Sequence, residues 1–200
     1  GPLLTVGQRA WLEQLARNPL RLYDVTEVVH DASITLCDAL DTEAAPLVVI
    51  ANEIQDPGNL GAIVRVAEAG GASGVLAAGA CADPFSWKAL RGSMGSALRF
   101  PVDRVDDASR AVTEARTRGC RIVATVPRDG TSLFDVNLRG ATAVLVGGEG
   151  PGLPDALIAS ADERVTIPMQ EPVESLNAAV TAALVVYEAR RQRLTANVKR

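Results

Sequence analysis

The chain has 200 residues, 48% of them hydrophobic and 22% charged, which describes a folded domain with a substantial core and excludes a disordered chain. A formal net charge of −4 argues against a dedicated nucleic-acid coat. No apolar run approaches the roughly 20 residues of a membrane-spanning helix and no signal peptide is visible, so a cytoplasmic location without membrane contact is expected. Cys37, Cys81 and Cys120 are far apart and lack CxxC or Cys/His spacing, so they read as reduced thiols and no metal is expected. The one histidine, His30, stands outside every motif described below, which argues against His-based acid–base chemistry. Of the 20 basic residues only Lys88 and Lys199 are lysine. Arginine suits bidentate phosphate contacts, although a GC-rich genome gives the same bias.

Residues 7–17 (GQRAWLEQLAR) read as a helix, and 19–45 as mixed strand and turn. The start, Gly1-Pro2 without methionine, resembles a protease scar, and 1–45 is too short for an independent domain. A compact unit is expected from residue 46 to 200. Its predicted strands are 47–51, 73–79, 100–102, 121–126, 143–148 and 164–168. Its predicted helices are 58–71, 83–95, 106–118 and 153–160. The strands are continuous apolar runs and alternate with helices of about ten residues, a pattern that indicates α/β architecture with a mostly parallel sheet and helices on both faces.

The last predicted strand runs through Pro168 into a loop, and a long helix is expected to open near Ser175. The backbone N–H groups of Ser175, Leu176 and Asn177 would then be free donors at a positively polarised helix end, suited to a carboxylate or ribose. Leu176, Val180, Ala183, Leu184 and Tyr187 follow at helical spacing, and apolar residues cover much of the remaining surface. A helix apolar nearly all round is buried on more than one side, so a subunit interface is expected here. The plainer reading is an ordinary strand, loop and core helix.

Ligands of parallel α/β sheets bind beyond the carboxyl ends of the strands. Three loops there are unusual: 52–65 (NEIQDPGNLGAIVR), 147–154 (GGEGPGLP) and 167–177 (IPMQEPVESLN). Neither GxGxxG nor GxxxxGK[ST] is complete, which argues against a dinucleotide or P-loop site. Arg65 points away from the apolar face of its helix, toward solvent or a cleft. Asn59 has the residue type of a helix cap. Glu149 stands among Gly147, Gly148, Gly150 and Gly152, which let backbone approach a ligand closely.

Together, DPGNLGAIVRVAEAGG (56–71), VLVGGEGPGLP (144–154) and IPMQEPVESLNAAVTAALVVYEARRQ (167–192) resemble the motifs of the SpoU (TrmH) family of RNA ribose 2′-O-methyltransferases, in order and at matching spacing. KALRGSMGSALRFPV (88–102) also looks like that family's intermotif segment. The resemblance implies a deep C-terminal trefoil knot of the SPOUT type, a homodimer, and S-adenosyl-L-methionine as methyl donor. It implies RNA as substrate, ribosomal RNA ahead of transfer RNA, with a non-catalytic RNA- or cofactor-binding relative as the alternative. Residues 1–45 would be a leader or the remnant of an RNA-binding domain, and 46–200 the methyltransferase domain.

Carried over by motif, Asn59 and Arg65 form a first-motif catalytic pair, Glu149 is the second-motif acid, and Ser175 and Asn177 are third-motif polar residues. The cofactor would lie against Thr125, Gly147, Ile167, Met169 and Leu176, and Arg65 and Arg91 would contact RNA. One position departs from the pattern. Glu171 stands where the family usually has glycine, which predicts a different path for the cofactor loop.

Overall fold

The computed structural model describes residues 45–197, so the predicted helix at 7–17 and the stretch that follows it lie outside the described residues. Seven strands and five helices follow in chain order. They are β1 (Leu47–Asn52), α1 (Pro57–Gly70), β2 (Gly74–Ala78), α2 (Trp87–Ser93), β3 (Val102–Val105), α3 (Ala108–Thr117), β4 (Arg121–Thr125), β5 (Thr131–Ser132), β6 (Thr142–Gly147), α4 (Asp155–Ser160), β7 (Glu163–Thr166) and α5 (Ala178–Asn197). A single 3-10 turn, Ser96–Leu98, joins α2 to β3. The strands pair only in parallel, in the order β3-β2-β1-β6-β4-β7-β5.

The continuous apolar runs become strands because both faces of the sheet are covered. In β1, Leu47, Val49 and Ala51 join one core with α1 and α5, while Val48 and Ile50 join a second core with α3 and α4. The same alternation divides Val144 and Val146 of β6 from Ala143 and Leu145. Each residue step along a strand reverses the side-chain direction, so both cores draw on the same few strands.

Two predicted elements shift for local reasons. The helix expected at 83–95 is only Trp87–Ser93, because the Asp83 carboxylate accepts the Phe85 N–H and closes a turn ahead of it. The strand expected at 100–102 begins at Val102, just after Pro101, which has no N–H to give a ladder. β5, two residues long, carries no apolar run to announce it.

The helix α2 lies against α1 at very short range. A methyl group added at Gly61 would meet the Ala89 carbonyl oxygen at 2.3 Å, and one at Gly92 would meet the Gly58 carbonyl oxygen at 2.9 Å. Hydrogen at these positions is therefore what lets the two helices touch through backbone.

The structure corrects the start of α5: the helix opens at Ala178, so Ser175, Leu176 and Asn177 precede it and their N–H groups are not its free end. Of its apolar surface, Val180, Leu184 and Tyr187 lie outward, 40–50% exposed. The buried face is Ala178, Ala182, Val185, Val186 and Ala189. Close approach to α1 selects those small residues, since a methyl at Gly70 would lie 2.1 Å from Val186 Cγ1. At its far end α5 is tied to the segment before β6, where Gln192 bonds the Val136 carbonyl and the Leu138 N–H. Arg193 adds bonds to the carbonyls of Leu138 and Gly140.

Candidate active site

The chain leaves β1 through Glu53, which sits in the left-handed region at φ 56°, and enters α1 behind Asp56 and Pro57. Asp56, not Asn59, is the cap: its carboxylate accepts the Asn59 N–H at 2.9 Å. Proline in the first turn costs no intrahelical bond there. The Asp56 carboxylate also pairs with Lys88 of α2. That hydrogen bond, with the help of the Asn59 N–H, holds its carboxyl below the ordinary value. With the cap supplied by Asp56, the side chain of Asn59 is left for other contacts.

The glycine-rich loop leaves β6 at Gly147 and folds back on itself, with Gly148 bridged to Gly152. A methyl at Gly147 would lie 2.4 Å from the Gly152 carbonyl carbon, and one at Gly148 would lie 2.3 Å from the Glu53 carbonyl oxygen. The loop is thus packed backbone to backbone, against itself and against the turn that follows β1. Glu149 projects from it, exposed.

The third loop, from Ile167 to Asn177, ends where Asn177 caps α5. Its Oδ1 accepts the N–H of Ala179 at 2.9 Å and of Val180 at 3.3 Å. Its Nδ2 donates to Asn59 Oδ1 at 3.1 Å and approaches Glu149 Oε1 at 3.5 Å. Asn59 Nδ2 in turn donates to Glu149 Oε1. One side chain from each motif therefore joins a single hydrogen-bonded cluster, across 90 residues in one case and 118 in another.

Beside this cluster lies a cavity of about 610 Å³ beyond the carboxyl ends of β4, β6 and β7. Thr125, Gly147, Ile167, Met169 and Leu176 all line it, as do Glu149, Ser175 and Asn177. The Thr125 hydroxyl is already engaged, donating to the Leu145 carbonyl at 2.9 Å. Asp155 and Thr181 also line the cavity and were not singled out in the sequence. The one signal for them is their position in the first turn of the helices that follow two motif loops.

Two predicted residues stand apart. Arg65 is exposed and does not line the cavity, and its side chain makes no hydrogen bond or ion pair among the described residues. Arg91 is exposed on α2, its guanidinium also without a partner among them. Glu171 is exposed, lies off the cavity lining, and is not among the non-glycine residues with positive φ. The loop therefore accommodates it without the backbone geometry that glycine would supply.

Among the described residues no group of His, Cys, Asp and Glu could hold a metal ion, and no helix is long and apolar enough to cross a membrane. Burial pushes the thiols of Cys81 and Cys120 up from their ordinary value, so both remain protonated at neutral pH. Cys37 and His30 lie outside the described residues.

Residues 46–187 match the model of the SpoU rRNA Methylase family. The chain belongs to that family. Among its relatives is an uncharacterized tRNA/rRNA methyltransferase of Synechocystis, 37% identical over 76% of this chain and 56% of that protein. The 23S rRNA (guanosine-2′-O-)-methyltransferase RlmB of Burkholderia is 36% identical over 85% of this chain and 68% of its own. Among solved structures, the SpoU methyltransferase AviRb of Streptomyces viridochromogenes, in complex with AdoMet, superposes with a TM-score of 0.72. It shares 35% identity over 79% of this chain and 64% of that one. The chain thus spans about half the length of the first of these relatives. The parallel sheet flanked by helices is the architecture it shares with its solved relatives.

Proposed function

We propose that this chain is an S-adenosylmethionine-dependent methyltransferase that acts on ribose 2′-hydroxyls of RNA, ribosomal RNA ahead of transfer RNA. One observation carries the reading: Asn59, Glu149 and Asn177, one from each motif, meet at the edge of a single cavity. The name of RlmB supports the substrate class, and the AdoMet complex of AviRb supports the cofactor.

The residues present suit that cofactor. The cavity's volume falls within the roughly 300–1,000 Å³ common to small-molecule sites. Val146, Leu153, Ile158 and Ile167 offer apolar wall for a purine. The carboxylates of Glu149 and Asp155 on the lining suit a cation. In this reading Thr125, Gly147, Ile167, Met169 and Leu176 hold the cofactor, largely through backbone.

When bound, S-adenosylmethionine supplies an activated methyl group on a sulfonium centre. The protein's own part is placement, which in such transfers is worth orders of magnitude in rate. Asn177 is fixed by the first turn of α5 and in turn holds Asn59 against Glu149, so a ribose hydroxyl meets donors and an acceptor already oriented. Ser175, whose hydroxyl has no partner among the described residues, contributes a further donor on the cavity wall. The guanidinium of Arg65 holds a phosphate or stabilises the developing alkoxide.

Because Arg65 stands apart from the cluster of its own chain, the reading includes a homodimer in which a second copy brings its arginine to the site. The exposed stripe of Val180, Leu184 and Tyr187 on α5 supports such an interface. A deep trefoil knot in the C-terminal part belongs to the same proposal. It is supported by a sheet order in which β6 lies between β1 and β4 before α5 returns to pack on α1. Residues 46–200 would be the methyltransferase domain, 1–45 a leader or the remnant of an RNA-binding domain, and Arg91 an RNA-phosphate contact. The protein would work in the cytoplasm.

Calorimetric titration with S-adenosylhomocysteine tests the cofactor assignment. The expected result is micromolar binding at one site per chain. A folded protein that gives no heat would sink it.

A further inference from the structure

The helix α2 buries Ala89 and Ser93 against its neighbours. At 100° per residue, the side opposite these two is centred on Arg91 and flanked by Trp87 and Lys88. Trp87 is 76% exposed, unusual for the side chain with the largest apolar surface. Phe85, Met94 and Leu98 are exposed on and around the same short helix. Lys88 is held by Asp56, while the guanidinium of Arg91, one turn beyond Trp87, has no partner among the described residues. The nearest acid before the helix, Asp83, is occupied with the Phe85 N–H.

This aromatic and cationic face is rigidly joined to the site. Lys88 pairs with the Asp56 cap, and Gly92 packs on the backbone of Gly58, the residue before Asn59. Recognition of RNA by sequence targets single-stranded loops and bulges whose bases are unstacked, and a base beside a ribose held at the Asn59–Glu149–Asn177 cluster would there lack its stacking partner. An exposed indole beside a free guanidinium replaces that partner, because every base has a π-face and its strand carries phosphates.

We propose that Trp87, with Arg91 one turn on, is a stacking platform for an unpaired base of the RNA substrate beside the methylated nucleotide. The proposal rests on the RNA methyltransferase reading and adds to it a positioning residue for single-stranded RNA.

The test measures binding of the full chain to fluorescein-labelled single-stranded oligoadenylate and to a blunt-ended RNA duplex of equal length. Trp87→Ala is expected to weaken oligoadenylate binding about tenfold and to leave duplex binding unchanged. Trp87→Phe, which keeps an aromatic face, should stay within about twofold of wild type. Arg91→Ala should weaken both RNAs and lower the salt slope by about one. Equal oligoadenylate affinity in wild type and Trp87→Ala, or no binding by wild type, would overturn the proposal. So would a wild-type dimer that sediments as monomer in Trp87→Ala, because the face would then be a contact between copies. S-adenosylhomocysteine titration of the same proteins separates the two failures. Loss of its heat in wild type would count against the methyltransferase reading, while the RNA comparison still decides the role of Trp87.

Discussion

Changing Asn177 to aspartate is expected to lower methyl transfer about 100-fold while leaving the thermal midpoint close to wild type. Aspartate caps a helix as well as asparagine does, and its charge suits the positive end of α5. The bonds from the Ala179 and Val180 N–H groups therefore survive. What is lost is the Nδ2 donor that holds Asn59 Oδ1 at 3.1 Å. In its place a carboxylate oxygen would face Glu149 Oε1 at about the present 3.5 Å, and two like charges so close repel. Asn59 would be freed from its alignment and Glu149 pushed from the rim. Asn177→Ala differs usefully: it removes the donor and the cap together, so the midpoint should also fall, by the equivalent of about 1 kcal/mol. Turnover at saturating cofactor, read beside a thermal melt, separates the two effects. Wild-type turnover in Asn177→Asp would mean that the cluster positions nothing.

Gly147→Ala is expected to weaken S-adenosylhomocysteine binding by at least about 100-fold, because overpacking at this point must move the cavity wall. The added methyl would stand 2.4 Å from the Gly152 carbonyl carbon and 2.5 Å from the Leu153 nitrogen. Both are backbone atoms of the turn that forms the wall, so no side-chain rotation relieves the clash. Some stability should be lost as well, about 1–3 kcal/mol, and circular dichroism establishes that the variant is folded before titration. Gly140→Ala is the control, since a methyl there meets nothing within 4 Å. Wild-type binding by Gly147→Ala would contradict the placement of the cofactor beside this loop.

Much of the architecture was legible because it depends on patterns spanning whole elements. Runs such as LVVIA and AVLVG can be strands only if both faces are covered, and they are. The loops that meet at the cavity were legible too, because glycine and proline punctuate them and a carboxylate among four glycines has few structural uses. The rest depends on tertiary contact, which a local pattern does not report. On α5 the apolar residues run nearly all round, and it is the close approach to α1 at Gly70 that sets Ala182, Val185 and Val186 inward and leaves Val180, Leu184 and Tyr187 outward. The start of that helix was placed three residues early because Asn177 uses its side chain as the cap, and no periodicity reports a cap. Asn59 could be read as a cap from its residue type, whereas Asp56 performs that task. The helical period sets the direction of Arg65 from its own helix, but not which chain it serves.

The central claim is methyl transfer to ribose, and the most direct test is incorporation of tritium from methyl-labelled S-adenosylmethionine into deproteinised ribosomal RNA. The expected result is label that survives alkaline hydrolysis in dinucleotides, since a methylated 2′-oxygen can no longer attack the adjacent phosphate. It should be absent when Glu149 and Asn177 are both replaced. Label confined to bases would contradict the assignment of the hydroxyl as acceptor. A folded protein that binds S-adenosylhomocysteine yet labels neither ribosomal nor transfer RNA would contradict the catalytic reading and leave a binding relative in its place.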